Sequence, residues 1–344
     1  MASGDSGRAV LVTGGAGYIG AHTAKLLHER GFLPVVYDSL SSGSREAARW
    51  GPLVEADIRD PQALAGAMRD HGVSSVIHFA GLIEVGRSTV KPDLFWDHNV
   101  TGTMSLLTAM REQGVRRLVF SSSAAVYGSA GRGPLESIRE DAPKDPASPY
   151  GETKLACEWL IRAECQAYGL TGIALRYFNA AGADPSGLIG EAHDPETHLL
   201  PLAIAAGLGD GKALTIFGDD FATPDGTCLR DYIHVNDLAA AHIAALEVDL
   251  SAGAFEALNV GAGIGCSVRQ VVSEVAKALG RPVPHSVGPR RSGDPASLVA
   301  DPARAKALLG WTPACSSLEE IVADAIRWES APRYGSGPRA ARRG

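Results

Sequence analysis

The segment "VLVTGGAGYIGAH", Val10 to His22, constrains this chain more than any other. A short β-branched run ends in a glycine cluster, and a helical pattern from Gly17 to Arg30 follows at once. Gly14, Gly17 and Gly20 fit GxxGxxG, while Gly15, Gly17 and Gly20 fit GxGxxG. Glycine is required where the backbone must turn tightly and approach a pyrophosphate with no Cβ between. The helix that begins there offers free N–H groups and the positive end of its dipole to an anion. Alone, such a triplet also describes a glycine-rich turn without a ligand. Here Asp38 closes the next strand in "VVYDSL", near the spacing of about 20 residues at which a carboxylate meets a ribose. Dinucleotide binding is therefore expected through Gly14, Gly17, Gly20, Asp38 and the adjacent Ser39. A carboxylate at Asp38 repels a 2′-phosphate, which favours NAD over NADP. Arg45 is near enough to receive a phosphate, or is simply a solvated charge.

The rest of the first half repeats the alternation. "RAVLVT", "LPVVY", "PLVEAD", "VSSVIHFA", "RRLVFSS" and "TGIALRY" are strand-like runs, with helical patterns between them such as Pro92 to Glu112. Asp60-Pro61 supplies an N-cap with proline at the first helical position. This order predicts an α/β fold, a Rossmann-type doubly wound parallel sheet covered on both faces. After Phe178 the pattern loosens into long loops, "AAGADPSGLIGEAHDPETH" and "GDDFATPDGTC", of the kind that carry a variable ligand. We expect an NAD-binding domain over 8–178, joined by parts of 232–262. A smaller C-terminal α/β substrate lobe is expected over 179–330 and a flexible tail over 331–344.

Composition narrows the function classes. The 344 residues are 45% hydrophobic and 21% charged, a globular balance. A net charge of −7 without a basic stripe argues against nucleic acid. No apolar run nears the roughly 20 residues that span a bilayer, so no membrane partner is expected. The start "MASGDSGR" lacks the basic and apolar regions of a signal peptide. Cys157, Cys165, Cys228, Cys266 and Cys315 form no CxxC and read as thiols of a reducing, cytoplasmic compartment. Histidines invite a metal, yet no HExxH or Cys/His cluster appears, and His193 and His198 are poorly spaced for one helix face. No metal is expected.

In "SPYGETKLACEW", Ser148 is a plausible N-cap and Pro149 a first helical residue. Tyr150 and Lys154 then share a helix face, although Lys154 could equally pair with Glu158 at the surface. Downstream of a dinucleotide turn, the pair fits acid–base chemistry. A hydride can leave a carbinol only if the O–H proton is taken as well, and free tyrosine titrates near 10. Lowering it to near 7 takes about 4 kcal/mol, and a lysine ammonium with a nicotinamide cation has the right sign. "SSSAAVYG" offers Ser121, Ser122 and Ser123 as bridging hydroxyls, or as turn residues.

GxxGxxG, "HFAG", "SSSAAVYG", "SPYGETK", "RYFN" and "RDYIHV", in this order, resemble the extended short-chain dehydrogenase/reductases. Within them the chain is similar to the UDP-glucose (UDP-galactose) 4-epimerase family, from about Val10 to Trp328. The resemblance implies Tyr150 as base, Lys154 as its activator and ribose ligand, and Ser123 as the substrate-bridging hydroxyl. It places Tyr18 and Ile19 at the pyrophosphate and Asp57 and Ile58 at the adenine. Phe79, Ala80, Gly81 and Asn99 follow the middle of the cofactor, with Ser121, Tyr177 and Phe178 also among its contacts and Phe178 at the nicotinamide. On the substrate side it implies Asn179 at the diphosphate, and Leu199, Thr215, Ile216 and Phe217 at uracil. Arg230 and Arg291 would clamp the diphosphate, Asp294 would meet the uridine ribose, and Tyr232 and Leu298 would line the substrate. Two guanidinium groups suit a diphosphate, but either could instead pair with Asp231 or Asp294. The resemblance also implies a UDP-sugar substrate and a homodimer.

The chain departs from that family in places. Ile83 and Glu84 stand where lysine and alanine are usual, which removes a positive charge near the cofactor. His198 replaces a common asparagine, and Leu298 stands where some members carry a pocket-restricting tyrosine. A smaller residue there leaves room for a 2-N-acetyl group. Related dehydratases place Asp-Glu inside the serine motif, where this chain has Ala124 and Ala125, which transfer no protons. The expectation is NAD-dependent 4-epimerisation of a UDP-hexose, UDP-glucose/UDP-galactose or the N-acetylhexosamine pair. It runs through transient C4 oxidation, rotation of the keto sugar and re-reduction. A nucleotide-sugar 4-ketoreductase or dehydratase stays open, and a non-catalytic NAD-sensing protein is the alternative of another class.

Overall fold

The structure, a computed structural model, describes residues 9–128, 135–209, 211–291 and 294–335. The six strand-like runs of the first half form β1 (Ala9–Thr13), β2 (Leu33–Asp38), β3 (Leu53–Glu55), β4 (Ser75–His78), β5 (Arg117–Ser121) and β6 (Thr171–Tyr177). The second half adds β7 (Asn179–Ala181), β8 (Leu214–Phe217), β9 (Leu229–His234), β10 (Phe255–Val260), β11 (Gly265–Ser267), β12 (His285–Gly288) and β13 (Ser297–Leu298). One parallel sheet runs in the order β10-β6-β5-β4-β1-β2-β3. The strand order therefore reverses between β1 and β4, and a crevice opens beyond their carboxyl ends. All five residues of β1 are buried, because helices cover both faces of the sheet.

Val10, Val12, Ile77 and Val119 pack on one face against Leu238, Ala241 and Ile243 of the helix Val235–Glu247. On the other face Leu11, Val76 and Leu118 meet Leu64, Leu106 and Ile161. The segment 235–260 thus supplies the first sheet with both a covering helix and its edge strand, β10.

The remaining strands form smaller sheets. β11, β9 and β13 lie side by side with β7 also on β9, and β8 pairs with β12 alone. Leu200, Ile204, Ile216, Val271, Val275 and Ile321 form their core. The tail expected over 331–344 begins packed. The ring of Tyr334 lies 4.8 Å from that of Trp328, and its hydroxyl meets Gly190 O at 3.1 Å. Arg8 and residues 336–344, with "PRAARRG", lie outside the described residues.

The pattern from Pro92 to Glu112 folds as Pro92–Phe95, a wide π turn over Trp96–Thr101, and the helix Gly102–Glu112. The π turn carries Asn99, and such turns recur at functional sites. Among the described residues, no helix is long and apolar enough to cross a membrane.

Candidate active site

Three of the four glycines in the first turn, Gly14, Gly15 and Gly20, are demanded by the fold itself. Gly14 has φ +69°, and a Cβ there would lie 2.7 Å from Ala80 N beyond β4; at Gly20 it would lie 2.2 Å from Gly14 O. Gly17 differs, since a Cβ there would meet only Gly14 O, at 3.3 Å. Gly17 is also the N-cap of the helix Tyr18–Glu29, and no side chain caps it. A helix start without a capping side chain, at a glycine whose Cβ would press on one backbone oxygen only, fits a bound diphosphate. The backbone of Tyr18 and Ile19 lies at that start. The Tyr18 side chain goes elsewhere, donating from its hydroxyl to Gly182 O at 2.6 Å.

Asp38 ends β2 and is nearly buried. One of its oxygens accepts from Ala16 N at 3.0 Å and the other from Leu40 N at 2.8 Å. Each oxygen keeps a lone pair for a ribose hydroxyl. Ser39 is bonded to Ser41. The Asp57 carboxyl, expected at adenine, is held at about 2 by the hydrogen-bonded Arg59 guanidinium, 2.6 Å away. Ile58 lies beneath Gly102, where a Cβ would come within 2.7 Å of it. Arg45 is paired with Glu55 and so is not a bare cation beside Asp38.

Asn99 spends its amide on protein. Its Oδ1 accepts from Leu82 N at 2.8 Å, and its Nδ2 donates to Leu82 O at 3.1 Å and Thr153 Oγ1 at 3.0 Å. It clamps the loop after β4, where Gly81 is needed because a Cβ would lie 2.9 Å from Asn99 Oδ1. Phe79 stacks on His242 at 4.6 Å, and Ala80 N donates to Thr13 O. Further along the loop Ile83 is exposed and Glu84 pairs with Arg87 at 3.2 Å, so the carboxylate has a cation at hand.

The helix Pro149–Tyr168 starts where expected, with Ser148 Oγ accepting from Gly151 N at 3.2 Å. Tyr150 and Lys154 are both buried, and Lys154 Nζ lies 5.9 Å from the Tyr150 ring centroid. Lys154 Nζ donates to Ser121 O at 2.8 Å, and Ser121 Oγ shares a hydrogen bond with the Tyr177 hydroxyl at 2.7 Å. Ser123 lies close enough to the Tyr150 hydroxyl to draw its phenol downward. The chain brings base, lysine and serine together, but the expected depression of the phenol is not produced by the protein groups. Burial raises Tyr150 above 10 and outweighs the opposing influence of Ser123. Burial likewise lowers the Lys154 ammonium to about 8.

The surface pair Lys154–Glu158 does not form. Glu158 is buried, bonded to Arg176 on β6 at 2.5 Å and to Ser122 Oγ at 2.6 Å. Arg176 donates to the Tyr127 hydroxyl at 2.8 Å, and that hydroxyl donates to Asn259 Oδ1 on β10 at 2.6 Å. This network was missed from sequence. Its signal was the helix face shared by Tyr150, Lys154, Glu158 and Ile161, which makes Glu158 a core position.

Ala124 and Ala125 open the short turn after Ser123. Ala124 joins Val126 and Leu155 in an apolar cluster against which Phe178 and Leu298 pack. The wall where elimination would need an acid and a base is hydrocarbon. Asn179 Nδ2 donates to Asp231 O at 3.0 Å. Arg230 takes the pairing alternative, with Asp294 Oδ1 at 2.7 Å and the carbonyls of Leu229 and Pro295 at 2.8 and 3.0 Å. Asp231 is not its partner, since that carboxylate accepts from Ala262, Gly263 and Ala300 N–H. The Arg291 guanidinium sits 4.0 Å over the Phe217 ring. Ile216 and Tyr232 turn their side chains into the core, while Thr215 and Phe217 are half-buried on the other face of β8, and Leu199 opens the helix Leu199–Leu208 that precedes it.

The model of the NAD dependent epimerase/dehydratase family matches residues 10–261. The UDP-glucose 4-epimerase of Halalkalibacterium halodurans is 46% identical over 327 residues, covering 95% of this chain and 97% of the relative. The crystal structure of UDP-glucose 4-epimerase from Brucella ovis in complex with NAD superimposes with a TM-score of 0.88 at 47% identity, covering 93% and 97%. The UDP-Glc/GlcNAc 4-epimerase of Campylobacter jejuni superimposes with a TM-score of 0.80 at 35% identity, covering 94% and 99%.

Proposed function

This chain belongs to the NAD dependent epimerase/dehydratase family, among its UDP-glucose 4-epimerases, and on that footing we propose how it inverts C4 of a UDP-hexose with NAD. The observation that carries the reading is Tyr150, buried with Lys154 on one helix face and close enough to Ser123 to feel its hydroxyl, with hydrocarbon at Ala124 in the same serine motif. Gly17, the start of the helix Tyr18–Glu29, Asp38 and the loop Phe79–Gly81 would hold the dinucleotide. When bound, NAD supplies a reversible hydride acceptor. Tyr150 takes the proton of the C4 hydroxyl and returns it, and Ser123 bridges phenol and substrate oxygen. Lys154, anchored on Ser121 O, holds positive charge beside the ring, which favours phenolate as the cofactor's own charge adds to it. The nucleotide half is the fixed part. Arg230, Arg291, Asn179 and Asp294 would engage the diphosphate and ribose, with Thr215, Phe217 and Leu199 around uracil. The hexose then lies against Phe178, Ala124 and Leu298, a smooth wall that lets either face turn towards C4 chemistry.

NMR of the product formed from UDP-glucose tests this, with UDP-galactose expected. Inactivity on UDP-glucose and UDP-N-acetylglucosamine, with turnover of a thymidine-linked sugar, overturns the uridine assignment. Leu298 on that wall also supports turnover of the N-acetylhexosamine pair. Trp96, Met104 and Trp159 are exposed on the helical segments beside the site, which supports a homodimer built through these helices. Sedimentation of Trp159→Glu should then show monomer. Five free cysteines, three of them buried, support a cytoplasmic location.

A further inference from the structure

His193 and His198 are poorly spaced for one helix face, but neither lies in a helix; both precede the helix Leu199–Leu208. Their loop folds back so that Glu191, His193, Glu196 and His198 each offer one ligand atom within 4.8 Å of all the others. His193 Nδ1 and His198 Nδ1 approach the same oxygen, Glu191 Oε1, at 2.9 and 2.8 Å. Glu196 closes the group, with Oε1 2.9 Å from His198 Nδ1 and Oε2 3.9 Å from His193 Nδ1. A tetrahedral ion at about 2.1 Å from each ligand separates them by about 3.4 Å, in the middle of this spread. The side chains of Glu191 and Glu196 are only 8% and 9% exposed. Two withdrawn carboxylates side by side need positive charge between them, and a single dication supplies it while both imidazoles stay neutral.

We propose that Glu191, His193, Glu196 and His198 form a structural zinc site. Two imidazole nitrogens and two carboxylate oxygens make a closed set for a borderline cation, with no ligand position left for catalysis. The ion would clamp a loop already gripped from two sides. Trp328 Nε1 donates to Glu191 O at 2.7 Å, and the Tyr18 ring stands edge-on to His193 at 6.5 Å. Tyr18 belongs to the helix that starts at the glycine turn, and His198 is the N-cap of the helix that Leu199 opens. The zinc would therefore lock the start of the uracil-side helix against the cofactor-side helix. That consequence rests on the proposed function; the metal site does not.

Elemental analysis of the purified full-length protein, dialysed without chelator, should find about one zinc per chain, and His193→Asn/His198→Asn about none. Should that double variant fail to fold, chelator-stripped wild-type protein refilled with Co2+ gives the second reading. Tetrahedral Co2+ shows strong visible bands, which Glu191→Gln should weaken or abolish. Adding Zn2+ to the stripped protein should also raise Tm. Zinc at background in the wild type, with no Co2+ bands and no rise in Tm, overturns the site, as does equal zinc in wild type and a folded double variant. In either case the cluster is two imidazoles paired with two carboxylates. Product NMR on UDP-glucose reports the 4-epimerase reading separately.

Discussion

The two lobes present their ligands in different ways. Around the large sheet the expected cofactor contacts are mainly backbone: a glycine turn, a helix start and a loop clamped by Asn99. In the smaller sheets the expected contacts are side chains on short strands, such as Thr215, Phe217, Arg230 and Leu298. Backbone geometry is set by the whole sheet and resists change, while a side chain on a short strand can be exchanged singly. On the proposed function, the seat of the dinucleotide is the rigid part and the sugar pocket the adjustable one, with Asp38 the exception as a single side chain that bears on NAD over NADP.

The comparison can be broken or sharpened by substitution. If the chemistry resides in the sheet lobe, Tyr150→Phe lowers kcat by at least about 100-fold while UDP binding, followed by calorimetry, is retained. Glu158→Ala leaves Arg176 buried without its carboxylate, which costs about 3–5 kcal/mol. The expected fall in Tm is roughly 5 °C by scanning calorimetry.

Lys154 gives a pH test of the same buried face. Its ammonium is held at about 8 by burial, against 10.5 when unfolded. Between those values the unfolded chain binds more protons, so stability rises with pH. The gain is complete above 10.5 and gone below about 8, and amounts to about 3 kcal/mol. Guanidinium titrations at several pH values should show this slope in the wild type and lose it in Lys154→Met.

The glycines separate fold from ligand. Gly14→Ala meets a positive φ and the Ala80 backbone and should cost about 2 kcal/mol or more of stability. Gly17→Ala should leave Tm nearly unchanged and weaken NAD at least about tenfold, near 1.4 kcal/mol, by fluorescence titration. In the substrate lobe, Leu298→Tyr should lower kcat/KM for UDP-N-acetylglucosamine relative to UDP-glucose by about tenfold. A substrate-lobe change that altered NAD affinity equally would erase the distinction between the lobes.

Much of the cofactor lobe was legible because its signals are local. A strand, a cluster of four glycines and a helix follow one another, and Asp38 comes at the end of the next strand. Tyr150 and Lys154 were legible because helix periodicity puts them on one face. What could not be read depends on distant partners. Glu158 looked like a surface partner for Lys154, yet β6 brings Arg176 to it. Arg230 offered two candidate carboxylates, and only the placement of β13 beside β9 selects Asp294. Tyr150 was expected to be made acidic by its lysine together with a nicotinamide cation; among the protein groups alone burial, which sequence does not display, acts more strongly.

The hydrogen bond from Tyr127 to Asn259 spans 132 residues. Asn259 also takes Glu140 Oε1 on its own N–H and gives its amide to Ile138 O, so this strand buttresses the loop before the tyrosine helix as well. During synthesis, Ser123, Tyr150 and Lys154 leave the ribosome about a hundred residues before β10 does. A nascent chain that ends short of Phe255 carries all three groups proposed for the acid–base work, yet lacks the strand that buttresses their surroundings. On the proposed function, the platform for Tyr150 is complete only with the last strand of the large sheet, and the substrate side chains Arg291, Asp294 and Leu298 follow later still.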